Sequence, residues 1–339
     1  MLQKPAGYDS ILIMTNDRLK QKDNNRFAMW LIIAVIFVLL MVIGTFFDYD
    51  ISSWMTKNSL KSGEYYSHNS FALVVEAIGS FPIWLALCFA FAFLFWLVSQ
   101  DNMPNWAKIV FGLCLYALGV FAAYMLIYDA YRYLAEQNGI KYLVNLPSVT
   151  LTNIILAILI SSLIFIVTKN FKADKKKLLG LAMVILCTAA LYFIVTLIKT
   201  PMGRVRFRTI NVIGDQSLYT PWYIINGSRN FEFLPNDCCK SFPSGHTFSA
   251  GLMFVLLSLP SVFTRFNTKK AKISLWIISV AYTATVALGR ITAGAHYLTD
   301  VTFGGFLALF GALVFKSIFL DGCFTSKKQK MTNFVNTVI

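Results

Sequence analysis

The sequence predicts an all-α fold: a polytopic transmembrane helical bundle of about eight spans, with its motif-bearing core in spans five to eight. Three observations predict it. Of 339 residues, 57% are hydrophobic and only 14% charged, where a soluble protein carries roughly 25%. The mean hydropathy is +0.63. The formal charge of +14 sits between the apolar runs rather than within them. This pattern excludes a disordered chain and a nucleic-acid binder, whose Lys and Arg would lie along polar exposed faces. Six cysteines are too few for a disulfide scaffold.

Each span is justified by length and by the absence of charge. A helix needs about 20 apolar residues to cross a ~30 Å hydrocarbon core. The runs are Phe27–Phe47, Ile78–Val98, Ile109–Tyr128, Val149–Val167, Leu178–Ile198, Thr247–Phe263, Ile273–Leu288 and Val301–Leu320. Only the last holds a charge, Lys316 near its end, where a lysine can snorkel to the interface. The sixth and seventh are short and are expected to extend into flanking residues. The first is too long for a signal peptide and lacks a small-residue cleavage site, so it reads as a retained helix. Residues Asp50–Leu60, with Trp54, read as a separate helix lying in the interface.

Orientation follows from Lys and Arg in the short loops. With the N-terminus in the cytoplasm, about two thirds of the 30 Lys and Arg fall inside, and the outer segments are close to neutral. Lys169–Lys177 and Arg265–Lys272 are the clearest inner clusters. The expected organisation is a cytoplasmic segment 1–26, N-terminal transmembrane helices 27–168, a core 169–320 and a cytoplasmic tail 321–339. The expected setting is a plasma membrane, the inner one in a bacterium, with both termini cytoplasmic.

Three polar stretches fall on the outer, periplasmic side. They are Lys199-Thr-Pro-Met-Gly-Arg-Val-Arg206, Phe242-Pro-Ser-Gly-His-Thr247 and Arg290-Ile-Thr-Ala-Gly-Ala-His296-Tyr-Leu-Thr-Asp300. Lys199, Arg206 and Arg290 supply the positive charge that a phosphate needs, with the arginines as planar bidentate donors. Ser244 and the backbone at Gly245 can add donors at a helix start. His296 and Asp300 stand four apart, one face of a helix, so that the carboxylate can fix the ring and free its other nitrogen to attack. His246 can protonate the leaving oxygen. Two His and one Asp among three cations would repel a divalent ion, so neither metal nor other cofactor is expected.

Lys-x6-Arg, Pro-Ser-Gly-His and Arg-x5-His-x3-Asp, in this order, resemble the signature of the type 2 phosphatidic acid phosphatase superfamily. The resemblance spans Lys199–Asp300. It implies a metal-independent membrane phosphatase acting on lipid phosphates or diphosphates through a phosphohistidine. By position, Lys199, Arg206, Arg290, Ser244 and Gly245 would bind phosphate, His246 would be the acid, His296 the nucleophile and Asp300 its partner. The sequence departs from the pattern in two places: Phe207 follows Arg206 where proline is usual, and Gly289 precedes Arg290 where serine is common. Neither change removes a cation or a nucleophile. The superfamily's usual membrane members have six spans, which makes two of the eight an N-terminal addition.

The remaining polar residues read as structural. Arg204 and Arg208 lie off the motif positions and are expected at the headgroup or substrate rim. Glu76 near the outer interface calls for no function, and His68 belongs to no motif. Cys238 and Cys239 are adjacent and poorly placed for a disulfide. The expected partners are a lipid phosphate and the bilayer, with no nucleic acid; the oligomeric state is open. A phosphotransferase or headgroup transferase would use the same three stretches, and His296-Tyr-Leu-Thr-Asp300 also resembles a motif of sphingolipid headgroup synthases. A transporter would place ionisable groups at mid-span, and here the mid-spans are clean.

Overall fold

A computed structural model describes residues 8–322, and among these the chain is helical, with no strand. Eight helical segments are long and apolar enough to cross a membrane: Phe27–Thr56, Ser70–Ser99, Asn105–Gln137, Pro147–Lys169, Lys175–Ile213, Gly245–Val262, Lys269–Thr292 and Leu298–Phe319. The molecule is a multi-pass membrane protein of all-α architecture. The sixth and seventh segments extend beyond the short apolar runs, as expected. The tail 323–339 and residues 1–7 lie outside the described residues.

Helix α1 (Tyr8–Thr56) is continuous over 49 residues. This corrects the separate interfacial helix expected over Asp50–Leu60: the chain stays helical to Thr56 and only then turns. The cause is a polar stripe at four-residue spacing. Asp48, Ser52 and Thr56 are all buried, so the C-terminal end of α1 is held against protein rather than laid on the membrane. Trp54, on the opposite side, is exposed, as an interfacial tryptophan would be.

The second span is broken into α2 (Ser70–Ile78) and α3 (Phe81–Ser99). Asn69 caps α2 by accepting from the Ala72 N–H, and Pro82 starts α3 from its first turn, where the missing N–H costs nothing. Then follow α4 (Asn105–Gln137) and α5 (Pro147–Lys169). The fifth span is composite. It joins α6 (Lys175–Ala190), capped by Asp174, to α7 (Tyr192–Met202) and α8 (Phe207–Ile213). Helix α7 stops at Gly203, whose φ of 52° is left-handed. A side chain there would also strike the carbonyl oxygen of Gly227, so the position demands glycine twice over.

The sixth span opens with α9 (Gly245–Gly251), tightens into a 3-10 segment (Leu252–Ser258) and ends in α10 (Leu259–Val262). Two long helices complete the bundle, α11 (Lys269–Thr292) and α12 (Leu298–Phe319). The main core lies between α3, α6, the sixth span and α12, with Phe93, Leu181, Val184, Phe248, Leu252 and Leu309 buried together. Small residues set its spacing. Gly251 faces Ala308, and Gly304 lies against the Ser244 carbonyl, a contact only a glycine leaves room for. A second core joins α3, α4 and α5 through Cys88, Ala122, Ala157 and Phe165.

Candidate active site

The three polar stretches converge at one end of the bundle. Their backbones hold one another before any side chain acts. Arg206 N–H donates to the Cys238 carbonyl at 3.0 Å, and Ser241 N–H donates to the Arg204 carbonyl at 3.0 Å. Arg208 N–H donates to the Gly294 carbonyl at 2.8 Å, and Ser244 N–H to the Asp300 carbonyl at 3.0 Å. His296 N–H donates to the Arg290 carbonyl at 3.3 Å. Segments separated by up to about a hundred residues are thus fixed in register by obligatory backbone groups.

His296 is 1% exposed and lies in the turn before α12, so it does not share a helical face with Asp300, as its four-residue spacing had suggested. Its Nδ1 is 2.6 Å from the Ser241 carbonyl oxygen. A carbonyl can only accept, so Nδ1 carries the hydrogen and Nε2 keeps its lone pair. The Asp300 carboxylate is farther, 3.6 Å from Nδ1. The backbone carbonyl, not Asp300, is therefore the acceptor that fixes the tautomer. Burial lowers the His296 pKa to about 3; Asp300 opposes the shift, and Arg206, Lys199 and Arg290 add to it. The ring is neutral at ordinary pH.

Asp300 sits in the first turn of α12 and is fully buried. Its Oδ2 accepts from Ser241 Oγ at 2.5 Å and from the N-cap Tyr297 N–H at 2.8 Å. Its Oδ1 accepts from Arg204 Nη1 at 2.6 Å. Arg204 is 0% exposed and is also bound to Asp48 of α1 at 2.9 Å. The expectation that Arg204 and Arg208 lie at the rim is corrected here. Both are buried: Arg204 between two carboxylates, and Arg208 against the Tyr65 ring and 3.9 Å from Glu76.

The three candidate phosphate ligands sit within electrostatic reach of His296. Lys199, on α7, reaches the Lys240 carbonyl at 3.4 Å. Arg206 caps α8; its Nε donates to the Asp237 carbonyl at 2.8 Å and its Nη2 pairs with the Asp237 carboxylate at 2.7 Å. Burial disfavours the Asp237 anion, but Arg206 and Arg208 outweigh it and hold the carboxyl well below its usual range. Arg290, at the end of α11, pairs with Glu76 of α2 at 2.5 Å. Glu76 is buried and also accepts from Gln137 at 2.8 Å, so it is the fixed counter-charge of Arg290 rather than an incidental interfacial acid. Arg206 Nη1 and Arg290 Nε are buried donors without a protein partner. Donors of this kind are costly unless an acceptor meets them.

His246 begins the sixth span. Its Nε2 is buried and unpartnered, and the Tyr133 ring of α4 packs edge-on against it at 4.8 Å. Gly79 leaves the space for it, since a side chain there would come within 3.0 Å of the imidazole. The cations Arg290, Lys199 and Arg206 lie within electrostatic reach of His246. Ser244 is occupied as the α9 N-cap, accepting from the Thr247 N–H at 3.3 Å, and Gly245 lies beside the Tyr192 hydroxyl. His68 pairs with Glu64 on an exposed surface. Cys238 and Cys239 are free thiols with sulfurs 3.5 Å apart; burial pushes the Cys239 thiol up to about 12. Among the described residues, no three His, Cys, Asp or Glu side chains form a metal-binding group.

Sequence reasoning missed Asp48, Glu76, Ser241 and Tyr133. Asp48 and Glu76 had a signal: a carboxylate at the end of an otherwise uncharged apolar run needs a partner. Ser241 orients His296 through its carbonyl, which no side-chain pattern reveals, and its hydroxyl donates to Asp300.

Residues 180–321 match the PAP2 superfamily. The chain is similar to the Lipid A 1-phosphatase of Rhizobium etli, 30% identical over 123 residues, which cover 35% of this chain and 43% of the relative. It thus spans less than half the length of that relative. No solved structure matches the chain.

Proposed function

We propose, from the match of residues 180–321 to the PAP2 superfamily, that the chain is a membrane phosphatase that removes a terminal phosphate from a lipid phosphate or diphosphate. One observation carries the reading: a neutral, backbone-oriented His296 lies among three cations, two of which present buried donors with no protein acceptor. A phosphate is the acceptor those donors lack.

In the first step His296 Nε2 attacks phosphorus. The N–P bond forms, the bond from phosphorus to the leaving oxygen breaks, and His246 gives that oxygen its proton. Lys199, Arg206 and Arg290 hold the phosphoryl oxygens, with Ser244 and Gly245 beside them, and stabilise the charge that develops. The Asp300 carboxylate stabilises the imidazolium. In the second step water gives a proton to His246 and attacks phosphorus; the N–P bond breaks, releasing phosphate and neutral His296. The site faces the outer side, with the basic clusters Lys169–Lys177 and Arg265–Lys272 in the cytoplasm.

The name of the Rhizobium relative, a Lipid A 1-phosphatase, supports a lipid phosphate as substrate. The test is a panel of lipid phosphates, including lipid A, phosphatidic acid and a polyprenyl diphosphate, incubated with purified protein in EDTA. Release of inorganic phosphate that is lost in His296→Ala is expected, and kcat/KM should show no limb from His296 near pH 6.5, since its pKa is about 3. Full turnover by His296→Ala would refute the mechanism. Dependence on added metal would refute its metal-free form, and transfer of label to a second lipid would make the chain a phosphotransferase.

A further inference from the structure

Behind the candidate nucleophile runs a buried chain of charge that ends outside residues 180–321. Asp48, on α1, is 1% exposed. Its Oδ1 accepts from the Thr299 N–H at 3.0 Å; its Oδ2 accepts from Arg204 Nη2 at 2.9 Å and from the Thr299 hydroxyl. Arg204 Nη1 donates to Asp300 Oδ1 at 2.6 Å and to Thr299 Oγ1 at 2.9 Å, and Arg204 Nε donates to the Thr220 carbonyl at 2.9 Å. One guanidinium is therefore shared between two carboxylates in a site closed to water. Gly44, one turn earlier on α1, makes the approach possible, because a side chain there would meet Thr299 Cγ2 at 2.6 Å.

We propose that Asp48 is a positioning residue for the reaction: by holding Arg204 and the start of α12, it keeps the charge of Asp300 available to His296. The inference rests on the phosphatase reading above. As His296 forms its bond to phosphorus, the imidazole becomes cationic, and Asp300 is the carboxylate nearest Nδ1, at 3.6 Å. With Asp48 ionised, the positive charge of Arg204 is divided between two anions. With Asp48 neutral, it falls on Asp300 alone and cancels the charge that the imidazolium needs. The effect grows as the imidazole acquires charge, so it belongs to the chemical step and not to phosphate binding. A helix that precedes the superfamily match thereby becomes part of the catalytic apparatus.

The experiment uses full-length protein in detergent and compares Asp48→Asn with the parent on the lipid phosphate that the wild type turns over fastest in the panel above. Inorganic phosphate serves as competitive inhibitor. Asp48→Asn keeps the shape, removes the charge and turns one of the two acceptor oxygens into a donor. Its kcat should fall by about tenfold or more, while the inhibition constant for phosphate stays within about twofold. Gly44→Ala, which removes no charge but sets a methyl against Thr299 Cγ2 and Asp48 Oδ1, should lower kcat in the same selective way; it decides the matter if Asp48→Asn does not fold. A kcat within about twofold of wild type in the folded variant, with His296→Ala inactive, would overturn the inference and leave the phosphatase reading intact, and so would a matched loss in kcat and phosphate binding. A wild type inactive on every lipid phosphate, or an active His296→Ala, would sink the underlying reading first.

Discussion

Arg204, Arg206 and Arg208 are separated by single residues, yet they do three different things. Arg206 keeps a buried donor with no protein acceptor, Arg204 joins two carboxylates, and Arg208 lies on a tyrosine ring. Spacing identified Arg206 as a motif position; it could not assign the other two, because their partners lie far off at Asp48, Asp300, Glu76 and Tyr65. Glu76 gives this scale its prediction. It is the buried counter-charge of Arg290, and breaking such a pair costs ~3–5 kcal/mol because a buried charge is left alone. Glu76→Gln should therefore lower the melting temperature of the purified protein. Inorganic phosphate should restore more stability to the variant than it adds to the wild type, since it returns the missing negative charge to Arg290. Equal shifts in both proteins would show that Glu76 does not serve Arg290.

At the level of elements, hydropathy located all eight crossings because length and lack of charge are properties of the sequence itself. It could not locate the breaks. The division of the second span at Gly79 and Ser80 and the composite fifth span come from local capping and packing, and the run of α1 through Thr56 goes with a buried stripe in which Asp48 binds the distant Arg204 and Thr299. The joint between the sixth span and α12 is set by Gly304, against which the Ser244 carbonyl rests. A methyl group there meets backbone, which cannot swing aside, and overpacking of this kind costs ~1–3 kcal/mol. Gly304→Ala should unfold several degrees lower and lose most of its turnover, because α9 carries His246 and α12 carries Asp300. Thermal unfolding in detergent together with phosphate release measures both. Unchanged values would mean that the two helices are free to separate.

For the whole molecule, the motifs pointed to residues after Lys199, and the geometry adds side chains from the earlier helices: Asp48 from α1, Glu76 from α2 and Tyr133 from α4. Asp48 and Glu76 were legible as carboxylates in need of partners, but which partners was not, because these residues carry no fixed spacing to the motifs; only the fold brings them there. The orientation of the bundle is a prediction at this scale. In intact spheroplasts a membrane-impermeant thiol reagent should label a cysteine placed at Ser228, in the loop before Phe242, and should label one placed at Lys270 only after permeabilisation. The reverse pattern would put the site in the cytoplasm.

The hydrogen bond from His296 to the Ser241 carbonyl has a consequence for mutational tolerance. The group that orients the candidate nucleophile is a peptide oxygen, present whatever residue occupies position 241. A saturation scan would find Ser241 important only so far as its hydroxyl serves Asp300, and would leave the orienter itself unscored. Genetic drift cannot delete it by ordinary substitution. Replacing Phe242 with its α-hydroxy acid counterpart would convert the Ser241 amide into an ester, a poorer acceptor, and weaken the orienting bond without changing any side chain.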